Sequence, residues 1–210
     1  MANPFLYPQV RHRRKLTPPA FSNYRQYKPS LREEFEAQCV YCRALDRIKG
    51  YDSFGVDHYR PMRLYPSLAT EYMNLYYACN RCNTLKRDFW PSLRQYVVEK
   101  IFIPNPCEHV MFEHVRYKRG TVSAASPAGE FTIERLDLND PDAVEFREGL
   151  IQVLAALVLE IEAARKTVRE VKKLLDGAAK PKEKGQLAKE LEAAKGNQDK
   201  LENRLWLLLG

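Results

Sequence analysis

The chain has 210 residues, with 34 Lys and Arg against 27 Asp and Glu, a net charge of +7 and 45% hydrophobic residues. That length suits one compact domain with an appendage, or two small domains, and 29% charged residues argue against a membrane-embedded or low-complexity chain. The longest apolar run, near residues 150–159, is far too short to span a bilayer, so no membrane partner is expected. The N-terminus shows no signal-like apolar stretch, which makes a cytoplasmic location the expectation.

The charge is unevenly placed. Residues 1–100 carry 17 basic against 9 acidic side chains, and residues 101–210 carry 17 against 18. The excess in the front half suits a polyanion, most simply nucleic acid, although a solvated basic tail would look the same. Residues 1–30 are rich in proline, basic and aromatic residues and read as an arm, extended over something or partly disordered. The stretch LREEFEAQ then predicts a short helix leading into Cys39.

Residues 31–104 read as a site-bearing unit. Cys39 and Cys42 form one C-x-x-C pair and Cys79 and Cys82 a second, 36 residues further on. Four thiolates in two tight pairs are a tetrahedral zinc site by preference, closed and therefore structural. A redox dithiol would need a thioredoxin-like context that this stretch lacks. Between the pairs lies FGVDHYRP, a predicted strand with Asp57 and His58 adjacent; Asn74 follows in EYMNLYYAC, and Asn83 directly follows the last cysteine in CNTLK.

These side chains can perform phosphodiester hydrolysis, which needs a base for water and a cation for the charge on phosphate and leaving oxygen. His58 can be the base, and Asp57 with the Asn83 amide oxygen offers hard donors for Mg²⁺ or Mn²⁺. Asn74 can orient the imidazole through the nearby backbone, while Arg60, Lys86 and Arg87 can contact phosphates. Singly, an Asp-His pair is more often ordinary surface or core, and asparagine is often only a turn former.

The joint spacing C-x2-C…D-H…N…C-x2-C-N-x2-K resembles the HNH (ββα-metal, His-Me finger) endonuclease family over roughly residues 39–90. The resemblance implies two strands and a helix starting near Asn83, gripped around one divalent ion. It makes His58 the general base, Asp57 a metal ligand and Asn74 the central asparagine. Asn83 stands where many relatives have a histidine, and in this it resembles the junction-resolving branch of the family, in which an asparagine ligates the metal. HYRP, NLYYACNRCN and KRDFWP are also similar to standalone HNH nucleases of bacterial anti-phage defence operons (Septu-type), some of which act with an ATPase partner; the expected substrate is nucleic acid, DNA before RNA, and the sequence does not decide between them.

Residues 105–138 show alternating patterning in HVMFEHVRY, TVSAA and EFTIERLDL, which predicts a small antiparallel meander. His109 and His114 within it suit no common metal knuckle. Residues 139–210 open with Asn139 or Asp140 as N-cap and Pro141 in the first turn. Apolar residues then recur alternately three and four apart from Leu150 to Leu175, and again from Leu187 to Leu208, on either side of GAAKPKEKG. This predicts an antiparallel helical hairpin, whose role is intramolecular packing, homo-oligomerisation or docking of a partner. The expected fold is thus α+β: a zinc-clamped ββα core, a β-meander and a helical hairpin. The rival to a nuclease is a non-catalytic, zinc-stabilised nucleic-acid-binding module that recruits a partner through the hairpin.

Overall fold

The computed structural model describes residues 3–209. It divides into two units, one from Asn3 to Glu148 and one from Gly149 onwards. Among the described residues no helix is long and apolar enough to cross a membrane.

The first unit is built on a ββα element. Strand β1 (Phe54–His58) pairs antiparallel with β2 (Leu75–Cys79), with Asp57 opposite Tyr76 and His58 opposite Leu75. Two short helices precede this hairpin, α1 (Lys28–Glu34) and α2 (Asp46–Lys49), and α3 (Asn80–Lys86) follows it directly. Helix α1 starts and stops earlier than the sequence pattern suggests. Pro29 sits in its first turn, and Glu36 and Ala37 take left-handed backbone angles (φ 56° and 58°). Those two residues turn the chain into a bridge between Gln38 and Leu45. Helix α3 also begins early, because Cys79 is its N-cap and its sulfur accepts from the Cys82 N–H; Asn83 therefore lies inside the helix.

The core of this unit is unusually rich in tyrosine, and each hydroxyl has a partner. Tyr7 donates to the Tyr41 carbonyl, Tyr59 to the Ile103 carbonyl, Tyr76 to Asn105 and Tyr77 to Asp46. A buried aromatic ring contributes apolar area only if its polar tip is not stranded, and here none of these is.

The arm is not a free tail. Phe5 and Tyr7 are buried, and Arg14 lies over the rings of Phe35, Tyr72 and Tyr76 while donating to the Leu75 carbonyl at 2.6 Å. Its anchor is Glu34, 3% exposed, which accepts from the backbone N–H groups of Lys15 and Leu16 at 2.9 Å each and pairs with the His12 ring.

Beyond the hairpin, β3 (Val115–Lys118) and β4 (Thr121–Ala124) form a second antiparallel pair. Arg119 and Gly120 close it with φ of 45° and 77°, the two positive angles of a type I′ turn. The third expected strand is instead helix α4 (Pro127–Arg135). Ser126 caps it by accepting from the Gly129 N–H at 3.1 Å, Pro127 fills its first turn, and these start signals outweigh the alternation of EFTIERL. Helix α5 (Pro141–Gly177) is capped by Asp140, whose side chain accepts from the Ala143 N–H.

In the second unit α5 and α6 (Pro181–Leu209) pack together. Leu157, Ile161 and Ala164 of α5 and Leu201 of α6 form the buried seam, with Leu205 and Leu208 against it. Arg165 and Glu202 pair beside it at 2.8 Å. Every seam position expected from the heptad pattern is buried or half-buried. The link is shorter than GAAKPKEKG, because Pro181 opens α6.

Glu34 generates a test. Burial alone pushes its carboxyl up, but the Leu16 and Lys15 N–H groups and the His12 ring outweigh burial and hold it below the usual carboxylate value. A depressed folded value means the stabilisation is complete above the unfolded value, about 4.3, and lost as pH falls through the folded one. Urea unfolding should show wild type losing stability across that acid window, and Glu34→Gln should be less stable near neutrality and flatter through the same window.

Candidate active site and metal centre

The four cysteines converge. Their sulfurs all lie within 4.8 Å of one another, with Cys42 and Cys79 at 3.6 Å. Four sulfurs each about 2.3 Å from a central ion would stand about 3.8 Å apart, so the cluster fits a tetrahedral ion of the zinc type. Among the described residues it is the one such group of three or more His, Cys, Asp and Glu side chains. Burial pushes the Cys39 thiol up, whereas hydrogen bonds from Cys39, Cys42 and Cys82 pull Cys79 well down. Burial pushes the Arg43 guanidinium below its ordinary value, against the charges of Tyr7, Glu36, Cys39 and Cys42, and its Nε is buried without a hydrogen-bond partner.

The Asp57–His58 pair sits at the end of β1, and its two side chains have different surroundings, as neighbouring strand positions should. Asp57 is 2% exposed. One carboxylate oxygen accepts from the Tyr41 hydroxyl at 2.5 Å, the other from the Lys86 ammonium at 3.0 Å. Tyr41 lies between the first two cysteines, and burial, then the Asp57 charge, pushes its hydroxyl far above the ordinary value, so it stays a donor. The spacing of cysteines gave no hint of this role.

His58 is half-buried. Its Nε2 is 2.9 Å from the Ala69 carbonyl oxygen. A carbonyl can only accept, so Nε2 carries the proton and Nδ1 holds the lone pair of the neutral ring. The Tyr24 ring meets the imidazole edge-on, centroids 4.6 Å apart; the sequence offers Tyr24 only as one of the arm's aromatic residues and gives no sign of Ala69.

Asn74 is 7% exposed. Its oxygen accepts from the Arg60 N–H at 2.9 Å, and its amide donates to the carbonyls of Arg60 at 3.0 Å and Leu68 at 3.3 Å. It thereby clasps the connection between β1 and β2 one residue short of Ala69, the acceptor for His58.

Asn83 lies across from β1. Its Nδ2 is 3.4 Å from the Val56 carbonyl and 4.0 Å from where a Cβ on Gly55 would stand. Gly55 and Asp57 share a strand face, and Lys86, on the same helix as Asn83, pairs with Asp57. Asp57 and the His58 carbonyl thus offer hard oxygens along the β1–α3 seam, and Asn83, which contacts the strand through its Nδ2, carries an amide oxygen. The donor set fits a hard divalent ion, and the seam already holds one cation, the Lys86 ammonium, 2.7 Å from the His58 carbonyl. Lys86 was expected on phosphate, but its side chain is turned inwards and the residue is only 1% exposed. Arg60 and Arg87 are exposed, with Arg60 near Trp90 and Tyr65. His109 and His114 meet edge-to-face, His114 bonding Ser126, and neither belongs to the cysteine cluster.

Residues 39–89 match the HNH endonuclease family. The matched segment begins at the first cysteine and ends beyond α3, so it contains the whole ββα element and both cysteine pairs. The resemblance drawn from the D-H, N and C-N spacing is borne out by this match. The chain is also similar to the Septu protein PtuB of Bacillus thuringiensis, 28% identical over 152 residues, which are 72% of this chain and 51% of that relative. The chain therefore spans about half the length of the curated relative it matches. No solved structure matches it.

Two outcomes follow. Cys79→Ser should lower the metal content measured by elemental analysis and lower the thermal midpoint, because binding energy at such a cluster is folding energy; full metal content with unchanged stability would refute the metal centre. Asn74→Ala takes away the partner of the Arg60 N–H and carbonyl, while the Leu68 carbonyl keeps the Glu71 N–H, and should destabilise by about 1–3 kcal/mol in urea unfolding.

Proposed function

We propose that this chain is a metal-dependent HNH endonuclease that hydrolyses phosphodiester bonds in DNA, stabilised by a structural zinc on Cys39, Cys42, Cys79 and Cys82. The observation that carries this reading is the packing of α3, which bears Asn83, on β1, which bears Asp57 and His58, inside the segment that matches the HNH family. The similarity to a Septu protein supports a place as the nuclease subunit of a bacterial anti-phage defence system, acting in the cytoplasm where thiols stay reduced. On that reading the helical hairpin docks a partner protein, an ATPase by the resemblance, or a second copy of the chain.

A divalent ion, Mg²⁺ or Mn²⁺, would be held by Asp57 and Asn83 and would supply charge neutralisation at the phosphate and the leaving 3′ oxygen. His58 takes a proton from water on Nδ1, the nitrogen left bare by the Ala69 hydrogen bond. The water oxygen bonds phosphorus, the P–O3′ bond breaks, and the products carry 5′-phosphate and 3′-hydroxyl ends. Asn74 keeps the loop that presents Ala69 in place, and exposed Arg60 and Arg87 meet flanking phosphates.

One observation favours the non-catalytic alternative: both carboxylate oxygens of Asp57 already have partners. A supercoiled-plasmid assay separates the two readings. Cleavage by wild type in Mg²⁺, absent with chelator and reduced about 10²–10⁴-fold in His58→Ala, is expected of general-base catalysis. DNA binding that is indifferent to Mg²⁺, with no cleavage by any form, would establish the binding module instead.

A further inference from the structure

Resting on the nuclease reading above, we propose that Lys86 is a tethered cation standing on Asp57 where the divalent ion belongs, and that the site loads only as Lys86 leaves it. Lys86 and Asp57 are paired at 3.0 Å with side chains 2% and 3% exposed. The ammonium also reaches the His58 carbonyl at 2.7 Å, so it uses two of the oxygen donors that line the seam. The second Asp57 oxygen is held by Tyr41. A divalent ion arriving at Asp57 would stand within a few ångströms of the ammonium in a poorly screened interior, where like charges repel strongly.

The exchange must be made by the side chain alone. Lys86 closes α3, and its carbonyl accepts from the Phe89 N–H and the Arg135 guanidinium. The next residue, Arg87, turns away with φ 51°. With the backbone pinned on both counts, rotation of a long flexible stem is the available motion. In the unloaded site the same pair compensates a buried carboxylate that would otherwise be costly. Lys86 therefore sets metal affinity: it keeps Asp57 in position and must be displaced to make room.

The test uses the 210-residue chain with its cysteine cluster loaded, and reads Mn²⁺ binding from the paramagnetic resonance of free Mn²⁺. Lys86→Met, which keeps length and removes charge, should bind Mn²⁺ roughly tenfold or more tightly than wild type, because the competitor is gone. Asp57→Asn should abolish that gain. A second measurement needs no variant. Acylation followed by mass spectrometry should find Lys86 protected without divalent ion and labelled at saturating Mn²⁺. Lys86→Met binding no tighter than wild type, or Lys86 still protected with Mn²⁺ bound, overturns the proposal. If either occurs while wild type cleaves DNA in Mg²⁺, the proposal falls and the nuclease reading stands. If no form binds Mn²⁺ and none cleaves, both fall.

Discussion

The cluster of four sulfurs is the constraint from which the rest of the first unit follows. It ties the turn after α1 to the junction of β2 and α3, points separated by 36 residues of chain. On one side it presents Tyr41, held between Cys39 and Cys42, to Asp57. On the other it starts α3 at Cys79 and so delivers Asn83 and Lys86 to the same strand. An ion in that cluster converts metal-binding free energy into folding free energy for the whole ββα element. Without such a clamp, a two-stranded sheet and a short helix would have little to hold them together.

What the clamp assembles is a buried carboxylate with donors on two sides. A charge as enclosed as that of Asp57 is tolerated only when it is paired and hydrogen-bonded. The protein meets this requirement twice over, with a phenol and an ammonium, and the surrounding tyrosines follow the same rule of satisfied polar tips. The result is a rigid, pre-shaped oxygen site whose electrostatic demand is for a cation. That demand does not itself distinguish an ammonium from a divalent ion; geometry and availability do.

The parts of this arrangement differ in how clearly the sequence announces them. The cysteine pairs and the helical seam were legible because each depends on local spacing, two residues in one case and a three-four alternation in the other. The seam positions from Leu157 to Leu208 fall where the pattern puts them. EFTIERL misled, since alternation over so few residues cannot be told from a helical face, and the decisive signals were Ser126 and Pro127 ahead of it. Lys86 was read as a phosphate contact because an isolated lysine belongs in water. Only the fold shows that a carboxylate and a carbonyl are waiting for it. Tyr41 and Glu34 were invisible for the same reason: their partners, Asp57 and the backbone of residues 15 and 16, are brought near by tertiary structure alone.

The positive charge of the front half is likewise divided by the fold. Arg14 is spent on three aromatic rings and a strand carbonyl, Arg32 on Asp46, and Lys86 on Asp57. Arg11, Arg13, Lys15, Arg60, Arg63 and Arg87 remain exposed, and Arg60 and Arg87 border the strand and helix that carry His58 and Asn83. Basic side chains in solvent attract a polyanion over about a Debye length, roughly 8–10 Å, and weaken with salt. The cation on Asp57 is screened far less and acts only within its own seam. The fold thus keeps two positive populations, an outer one open to solvent and an inner one paired with the buried carboxylate. The sequence, which counts them together, cannot separate them.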